Sequence, residues 1–439
     1  MTDSNQAAIL PADLLLYQVD DRPPLGRLLI YGLQWLVLFL PLITVSTVMA
    51  AELLGMSLPA RVAFFQRVMI VSGVVMIIQT LWGHRYPLMD GPSTVILLCF
   101  GTLSTHGLAA LEGGMLAGGG LLAVCGFFGW IRKLNHLFTD NVIGVILLLI
   151  AFTLLPFMVP VLTGQTPQTP QGDPVIFGLS VTVIFGTAVF SYWLKGFWAS
   201  LSLLWGIIFG CLIFGLLGRL DLSKFLATAW FSSPDPFWGP RPVFSLPVIA
   251  SFLLAYLALV VNQLGSLYAI GQVVGNGDME RRIDRGMAGC GVGSILAGLL
   301  GVTGTVSYSL SPGIVLMTRV GTRYALTVCG VMFIILAFTQ KLTAVLAIIP
   351  APVVGAVLVT GLAAQMGAGI SIFARSGRAF TPRDYMVTGI PVILGTLVSI
   401  FSKEFLTKIP AYLSPIMGNG LILGIIFVLL LEHVFMRRR

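Results

Sequence analysis

Few polar side chains interrupt the long apolar runs of this sequence, and they are its candidates for chemistry. The strongest is Asp90, which directly precedes the helix-breaking pair Gly91-Pro92. A carboxylate inside an apolar layer is costly, and such groups usually bind or relay a proton or an ion. We therefore expect Asp90 to exchange a proton. The alternative is a hydrated carboxylate at the end of its apolar run, close to Arg85.

Neutral polar side chains form a second candidate group. Inside or beside the apolar runs stand Gln34, Ser93, Thr94, Asn262, Gln263, Ser266, Ser307, Ser309 and Ser311. A buried amide or hydroxyl needs a hydrogen-bond partner, and a neighbouring helix often supplies it. An amide or ring nitrogen of a small ligand would serve equally well. Helix packing and ligand binding are therefore both open for these residues.

No combination of residues indicates catalysis or metal binding. The five cysteines lie in apolar runs without metal-ligand spacing, which indicates packing rather than disulfides: Cys99, Cys125, Cys211, Cys290 and Cys329. The sequence has no nucleophile–base pair and no phosphate-binding loop. It therefore predicts neither an enzyme nor a bound cofactor or metal.

The composition identifies the elements that must position these residues. Of the 439 residues, 57% are hydrophobic and only 10% are charged, and the mean hydropathy is +0.97. A soluble domain is about a quarter charged, so a soluble enzyme and a disordered chain are excluded. A nucleic-acid-binding protein is excluded too, despite the net charge of +8. Apolar runs of about 20 residues predict membrane-crossing helices, whereas a barrel would show short alternating segments.

We predict an all-α polytopic membrane protein with fourteen transmembrane segments. The spans are expected at 27–50, 62–82, 87–104, 108–131, 141–163, 175–194, 197–217, 243–271, 287–301, 306–318, 325–339, 343–366, 385–401 and 414–435. Residues 1–26 lack the features of a signal peptide and are expected to be a cytoplasmic tail. Residues 27–217 and 243–439 are expected to form two repeats, joined by an extracytoplasmic loop at 218–242.

The positive charges predict the orientation. With the N-terminus inside, 17 of the 25 Lys and Arg residues fall on the inner side and seven on the outer side. Positively charged loops stay in the cytoplasm, so both termini are expected there, with the spans in the cytoplasmic membrane. Arg67 lies within the second span, and we expect its side chain to extend outward to the membrane surface. Glu112 and Glu432 are expected at the membrane boundaries.

Two pairs of segments indicate an inverted repeat. Residues 141–144, at the start of the fifth span, resemble residues 352–355 in the twelfth. The third span, with Gly91-Pro92, corresponds to the tenth, with Pro312-Gly313. Seven spans separate each pair, and an odd number inverts the second half. Inverted repeats with matching broken helices are typical of secondary transporters, whose half-helix N-termini point at a central site. The alternative is two proline kinks that affect only packing.

The motifs in these spans resemble those of the nucleobase–ascorbate transporter family, the uracil and xanthine permeases. Six segments carry the resemblance, in order along nearly the whole chain: YGLQW at 31–35, RYPLMDGPS at 85–93, LFTDNVIGVILLLIAFTLLP at 137–156, VNQLGSLYAIGQV at 261–273, GLLGVTGTVSYSLSPGIVLMTRVGTR at 298–323 and IPAPVVGAVLV at 349–359. The resemblance implies a core domain of spans 1–4 and 8–11, a gate domain of spans 5–7 and 12–14, and a homodimer.

The sequence departs from this family at the positions that bind substrate and protons. The eighth-span Glu of typical members aligns with Asn262, and the tenth-span Glu or Gln aligns with Leu310. Other polar or ionisable family positions also carry different residues here, namely Trp35, Ser266, Cys290 and Ser311. Proton coupling through the usual carboxylates is therefore not implied.

The resemblance still implies where the site lies. Gln34, Thr94 and Ser309 match the family pattern. The substrate site is expected at Gln34, Ser93, Thr94, Asn262, Ser266, Ser309, Leu310 and Ser311. Asp90 is the remaining candidate for proton coupling, and H+ and Na+ are both open as the coupling cation.

Three functions are consistent with the sequence. The leading hypothesis is a permease that moves a nucleobase-like small polar molecule by alternating access. The first alternative is an anion permease or exchanger on the same fold, because two helix N-termini without pocket carboxylates favour negative charge. The second is a membrane scaffold that transports nothing, which the polar residues at the midplane argue against.

The predicted orientation can be tested by labelling. Single cysteines introduced at Asp278 and at Thr166 should react with a membrane-impermeant thiol reagent from opposite faces of the membrane, because an odd number of predicted spans separates the two positions. Labelling in intact cells and in inverted vesicles provides the measurement. Labelling of both positions from the same face would contradict the topology.

Overall fold

The computed structural model describes residues 15–131, 137, 139–165, 169–195, 198, 201–219, 229–275, 277–308, 310–375, 380–406, 408–410 and 417–436. The first half contains helices α1 (Leu25–Leu53), α2 (Leu58–Leu81), α3 (Thr94–Leu103), α4 (Leu108–Phe127), α5 (Asp140–Leu162), α6 (Pro174–Trp193) and α7 (Ser202–Leu216). Strand β1 (Asp90–Pro92) precedes α3, and a 3-10 turn (Ser104–His106) follows it.

The second half too has two helices before its strand. It contains helices α8 (Leu246–Val274), α9 (Met279–Leu300), α10 (Ser311–Thr318), α11 (Arg323–Ala337), α12 (Gln340–Ile348), α13 (Ala351–Arg375), α14 (Pro382–Ser399), α15 (Lys403–Leu406) and α16 (Gly420–Leu430). Strand β2 (Thr305–Ser307) precedes α10, and α16 continues as a π-helix (Leu431–Phe435). The prediction of a mostly helical membrane protein is confirmed.

Several helices are long and apolar enough to cross a membrane. Within the described residues there are eight of them, or nine if α11 and α12, which meet at 90°, form one span. Helices α3, α7 and α16 are apolar but shorter. The boundaries near residue 340 differ from those expected. The predicted twelfth span begins at residue 343, whereas α13 begins at Ala351, directly after Pro350, because proline disfavours helical backbone in the residue before it.

The helices pack in two groups. In the first helix group, α1 to α4 and α8 to α11, α4 packs on α8 and α9, and α11 packs on α1 and α2. In the second helix group, α5 to α7 with α13, α14 and α16, α5 packs on α13 and α14, α6 packs on α7, and α14 packs on α16. Contacts of α1 with α13 and of α8 with α16 join the groups.

Small residues allow a close helix contact between α4 and α9. A Cβ atom added to Gly291 on α9 would collide with the backbone nitrogen of Ala123 on α4 and lie 2.6 Å from the carbonyl oxygen of Gly119. A helix in lipid gains little from hydrophobic burial, so close backbone approach through small residues is a main source of association. The α4–α9 contact therefore depends on the missing side chain at Gly291.

The two strands bring the halves of the chain together. β1 and β2 are antiparallel, with Asp90 opposite Ser307, Gly91 opposite Val306 and Pro92 opposite Thr305. The ladder continues on both sides, since the Ser93 N–H donates to Gly304 O at 2.8 Å and the Tyr308 N–H donates to Met89 O at 2.7 Å. The backbone outside the helices thus finds hydrogen-bond partners, as an apolar environment requires. Helices α3 and α10 both begin beside this pair.

The described part of the N-terminal tail lies against the first helix group. The Leu16 N–H donates to Arg319 O at 2.7 Å, and the Gly321 N–H donates to Tyr17 O at 2.9 Å. Asp20 accepts a hydrogen bond from Arg323 Nε at 2.7 Å. Burial alone would raise the pKa of the Asp20 carboxyl. The hydrogen bond and charge of Arg323, with the charge of Arg85, outweigh it and lower that pKa.

A substitution at Gly291 tests the α4–α9 contact. Gly291→Ala should lower the free energy of unfolding by about 1–3 kcal/mol, because the added methyl group overpacks a backbone contact. Gly120→Ala on α4 is the matched control, since an added Cβ there meets nothing within 4 Å. Thermal unfolding in detergent is the measurement. Equal melting temperatures for the two variants would contradict the dependence of the α4–α9 contact on Gly291.

Candidate functional site

Asp90 is the centre of a buried hydrogen-bond network. Its side chain is 1% exposed and accepts two hydrogen bonds. The Ser307 hydroxyl donates to Asp90 Oδ1 at 2.6 Å, and His84 Nε2 lies 3.3 Å from Asp90 Oδ2. Asp90 is therefore held by residues from both halves of the chain, and its neighbour from the connection after α2 is His84 rather than Arg85.

The hydrogen bonds of His84 assign its tautomer. The Tyr86 backbone N–H donates to His84 Nδ1 at 3.0 Å, so Nδ1 carries a lone pair and Nε2 carries the hydrogen. The Nε2–H group then donates to Asp90. Protonation of Nδ1 would place its N–H group against the Tyr86 N–H, so that two donors would face each other. The arrangement thus pairs the Nε2–H group of a neutral imidazole with an accepting carboxyl oxygen of Asp90.

Two side chains of α8 hold β2 in place. Gln263 accepts from the Ser307 N–H at 2.8 Å and donates from Nε2 to Ser307 Oγ at 2.8 Å. The Ser266 hydroxyl donates to Ser307 O at 2.9 Å. Residues 263 and 266 are three apart and lie on one face of the helix. Their contacts in this structure are therefore those of helix packing.

The strand pair has two different faces. Directly opposite residues point to the same side, so Asp90 and Ser307 share the polar face toward α8. Gly91 lies on the other face, where an added Cβ would be 2.6 Å from Phe39 Cζ. The Phe39 ring packs edge-on against Tyr308 and Phe333. The Asp90 carboxyl group and the aromatic rings thus lie on opposite faces of the strand pair.

Three of the expected substrate residues are buried. Ser93 precedes the first residue of α3, and its hydroxyl has no hydrogen-bond partner in the described part of the chain. Ser311 begins α10, and its hydroxyl accepts from the Met89 N–H at 3.0 Å and donates to Tyr308 O at 2.9 Å. Ser266 contacts Ser307. These three residues lie around the strand pair.

Four other expected residues are at least partly accessible. Asn262 on α8, Thr94 on α3 and Gln34 on α1 are half-buried, and Leu310 is 49% exposed. Open space lies beside them, since a Cβ added to Gly265 on α8 or Gly313 on α10 meets nothing within 4 Å. Helix α8, which carries Asn262, packs on both α3 and α10. Ser309 lies outside the described residues.

His84 is a partner of Asp90 that sequence reasoning missed. It follows α2 in a short connection, and no spacing motif relates it to Asp90 or to Ser307. The register of β1 and β2 brings Ser307 to Asp90, and the fold of the connection after α2 brings His84 to it. The described residues contain no group of three or more His, Cys, Asp or Glu side chains that could hold a metal ion.

The structure corrects the expectation for two charged residues of the outer boundary. Glu112 is fully buried rather than interfacial, and Arg67 is 5% exposed rather than extended to the membrane surface. Glu112 Oε1 packs against Gly239 and Gly301. The loop around Gly239 covers them, with its N–H donating to Leu299 O at 3.0 Å. A hydropathy profile does not show a loop that folds back over a span.

Glu432, expected at the inner boundary, is buried as well. Its side chain is 6% exposed and lies 3.0 Å from Arg383 Nη2. The Asn141 amide donates to Glu432 Oε2 at 3.2 Å and to Asp384 Oδ1 at 3.0 Å. These four side chains join α5, α14 and the end of α16, so Glu432 is an internal contact of the second helix group.

The sequence and the fold both match known proteins. Residues 26–404 match the model of a permease family, Xan_ur_permease. The chain is 24% identical over 419 residues to the uric acid transporter UacT of Escherichia coli (strain K12), covering 93% of this chain and 86% of that one. It is 28% identical over 426 residues to the putative purine permease CPE0397 of Clostridium perfringens, covering 96% and 93%.

A solved structure shares the fold. The transmembrane domain of a cyanobacterium bicarbonate transporter, BicA, matches with a TM-score of 0.64 at 15% identity. The match covers 87% of this chain and 98% of that chain. At this identity the likeness concerns the fold alone.

Gln263 and Ser266 form a clamp on β2, and the hydrogen bonds of this clamp predict an effect on stability. Gln263→Leu should lower the free energy of unfolding by about 1–3 kcal/mol, because it leaves the buried Ser307 N–H without a partner. Asn262→Leu is the matched control, since the Asn262 side chain makes no hydrogen bond among the described residues. Thermal unfolding of both variants in detergent is the measurement. A Gln263→Leu protein as stable as Asn262→Leu would contradict the role of the clamp.

Proposed function

This chain belongs to the permease family, and we propose that it carries a nucleobase-like substrate of the uracil, xanthine or purine class across the cytoplasmic membrane. The family consists of permeases, so the chain is a multi-pass membrane transport protein and not an enzyme. The names of its relatives, a uric acid transporter and a putative purine permease, support the substrate class.

The observation that carries the proposal is the meeting of α3 and α10 at the strand pair. Each helix begins close to the end of its strand, so the two positive helix ends lie beside the strand pair and next to α8. Asn262 borders the open space at Gly265, three residues away on α8, and Thr94 is the first residue of α3. An amide matches the donors and acceptors of a heterocycle, and a charge is not required there. Gln34, Ser93, Ser266, Ser309, Leu310 and Ser311 complete the proposed site.

Helix packing supports two inverted repeats of seven spans. In such a repeat α1 corresponds to α8, and α11 corresponds to α4. Helix α1 packs on α11, and α8 packs on α4. Helix α2 packs on α11, and correspondingly α9 packs on α4. In the second helix group, Gly144 of α5 contacts Phe373 near the end of α13, and Gly355 of α13 contacts Val161 near the end of α5. Such exchange symmetry is expected from an inverted repeat.

In the proposed architecture the strand–helix units β1–α3 and β2–α10 are the third and tenth of fourteen spans. The first helix group is the core and the second is the gate, and alternating access is a movement of one against the other. Residues 27–217 and 243–439 are the repeats, and both termini are cytoplasmic. A homodimer through the second helix group belongs to the same proposal.

Asp90 is the proposed coupling group, with H+ as the cation. When ionised, its carboxylate accepts from His84 and Ser307, as observed. When protonated, it must donate one hydrogen bond. The Ser307 oxygen can accept it if its own hydroxyl hydrogen turns away. Ser307 is bound to Gln263, the neighbour of Asn262, so proton binding at Asp90 changes hydrogen bonding next to the proposed substrate site.

Transport assays on purified protein in liposomes test the function. The protein should accumulate labelled urate, xanthine or uracil when an inward pH gradient is imposed. Asp90→Asn should retain substrate exchange across the membrane but lose gradient-driven accumulation, because an amide cannot carry the proton. Retained accumulation by the Asn variant would exclude Asp90 as the coupling group. Transport of bicarbonate or sulfate in place of nucleobases would instead support the anion alternative.

A further inference from the structure

A hydrogen bond joins the two helix groups at the end of α3. The side-chain amide of Asn419, the residue before α16, donates to the Thr102 hydroxyl at 2.9 Å. Beside this bond, a Cβ position on Gly101 lies 2.9 Å from Phe157 Cε1 on α5. The Asp90 network, in contrast, contains no residue of the second helix group. The end of α3 is therefore a place where the first helix group is attached to the second.

The Asn419 amide makes two different contacts with its two ends. Its oxygen accepts from the Ile422 N–H at 3.2 Å and so caps the first turn of α16. Its nitrogen donates to Thr102, whose own hydroxyl hydrogen is donated to Leu98 O at 2.9 Å. Asn419 is 1% exposed. A shorter capping residue could replace the contact with α16, but it would not reach α3.

This attachment lies on the side of the protein opposite the N-terminal tail. Arg85, which follows α2, lies 3.5 Å from Asp20 of the tail, and β1 and α3 then lead away from the tail to Leu103. The end of α5 lies on the same side as the end of α3, since Phe157 contacts Gly101. We call this the far side and the opposite one the tail side.

Burial along α1 differs between the two sides. Helix α1 packs on α13 of the second helix group, and its residues 43–51, toward the far side, are all buried. Toward the tail side, Leu29, Ile30 and Leu33 are exposed. The far half of α1 is therefore enclosed by other helices, whereas one face of its tail half is free.

Helix α13 shows the same difference. Its residues 353–358, toward the far side, are all buried, whereas four of the six residues 363–368 are exposed. A Cβ added to Gly367 meets nothing within 4 Å, as is also found for Gly265 on α8 and Gly313 on α10. The helix groups thus pack tightly toward the far side, and the open positions lie toward the tail side.

We propose that Thr102 and Asn419 form a latch that keeps the far side closed and opens in each transport cycle. The latch rests on the proposed function, in which the helix groups move against each other. Opening leaves neither side chain without a partner, because Thr102 still donates to Leu98 O and Asn419 still caps α16. Water replaces the broken bond, so opening costs only the small net free energy of one neutral hydrogen bond.

Thiol labelling tests the latch. Leu98 lies one turn before Thr102 on the same face of α3 and is 1% exposed, so a Leu98→Cys thiol should react with a maleimide only when the far side opens. Adding Thr102→Val should speed this reaction about fivefold, because the closed form alone loses a neutral hydrogen bond. Fragment-ion mass spectrometry of purified protein distinguishes this thiol from the buried native Cys99.

A second variant and a control accompany this measurement. Asn419→Ser keeps a capping side chain but does not reach Thr102, so it should give a similar increase. Thr396→Val is the matched control, because that hydroxyl donates to Val392 O at 2.7 Å within α14, which packs on α5 and α16. It should leave the labelling rate unchanged. Unchanged labelling in Thr102→Val and Asn419→Ser, or an equal increase in Thr396→Val, would overturn the latch.

A cross-link separates the latch from the proposed function. Thr102→Cys and Asn419→Cys in one protein should be joined by ethane-1,2-diyl bismethanethiosulfonate. The joined protein should lose exchange of urate, xanthine or uracil, and a reducing agent should restore it, whereas either single variant should be unaffected. Exchange that continues after cross-linking would overturn the latch. Faster thiol labelling in the latch variants of a protein that exchanges none of these substrates would support the latch and refute the proposed substrate class.

Discussion

The pairing of β1 with β2 is the constraint on which the rest of the site depends. Backbone that leaves a helix inside an apolar layer must find other partners, and each unsatisfied group costs several kcal/mol. Here each three-residue strand satisfies the other, and the ladder extends through Ser93 and Tyr308. Neither strand would be stable alone. The two halves of the chain must therefore meet before either part of the site exists.

The register of this pair decides where the charge lies. With Asp90 opposite Ser307, the carboxylate points toward α8 and away from Phe39. A shift by one residue would exchange the two faces. It would place Asp90 among aromatic rings without a donor and leave Gln263 without Ser307. The side-chain bonds of Gln263, Ser266 and Ser311 thus hold a register that the strands alone fix weakly, because three residues form few backbone hydrogen bonds.

The sequence predicted which residues belong to the site better than it predicted which of them contact each other. Hydropathy and the Gly-Pro pairs were sufficient to predict the helical class and to single out Asp90 and the polar residues of α8. The partners of Asp90 were not predictable, because Ser307 reaches it only through the pairing of two distant strands and His84 only through the fold of the connection after α2. The same reason applies to Glu112, which is buried by the loop around Gly239, and to the tail at Asp20. Local patterns describe a helix and its environment, whereas such contacts depend on the completed fold.

The Asp90 network and the open space near Gly265 are separate, and this separation has an energetic consequence for transport. In the proposed cycle the first helix group moves relative to the membrane, and an uncompensated charge in that group would be costly to move. The proposed substrate site is neutral, with the amide Asn262 among its residues. A proton on Asp90 removes the remaining charge of the network, because His84 is already neutral. The protonated network therefore moves at lower cost than the ionised one. In this scheme the proton makes the movement favourable, while Asn262 and the helix ends recognise the substrate.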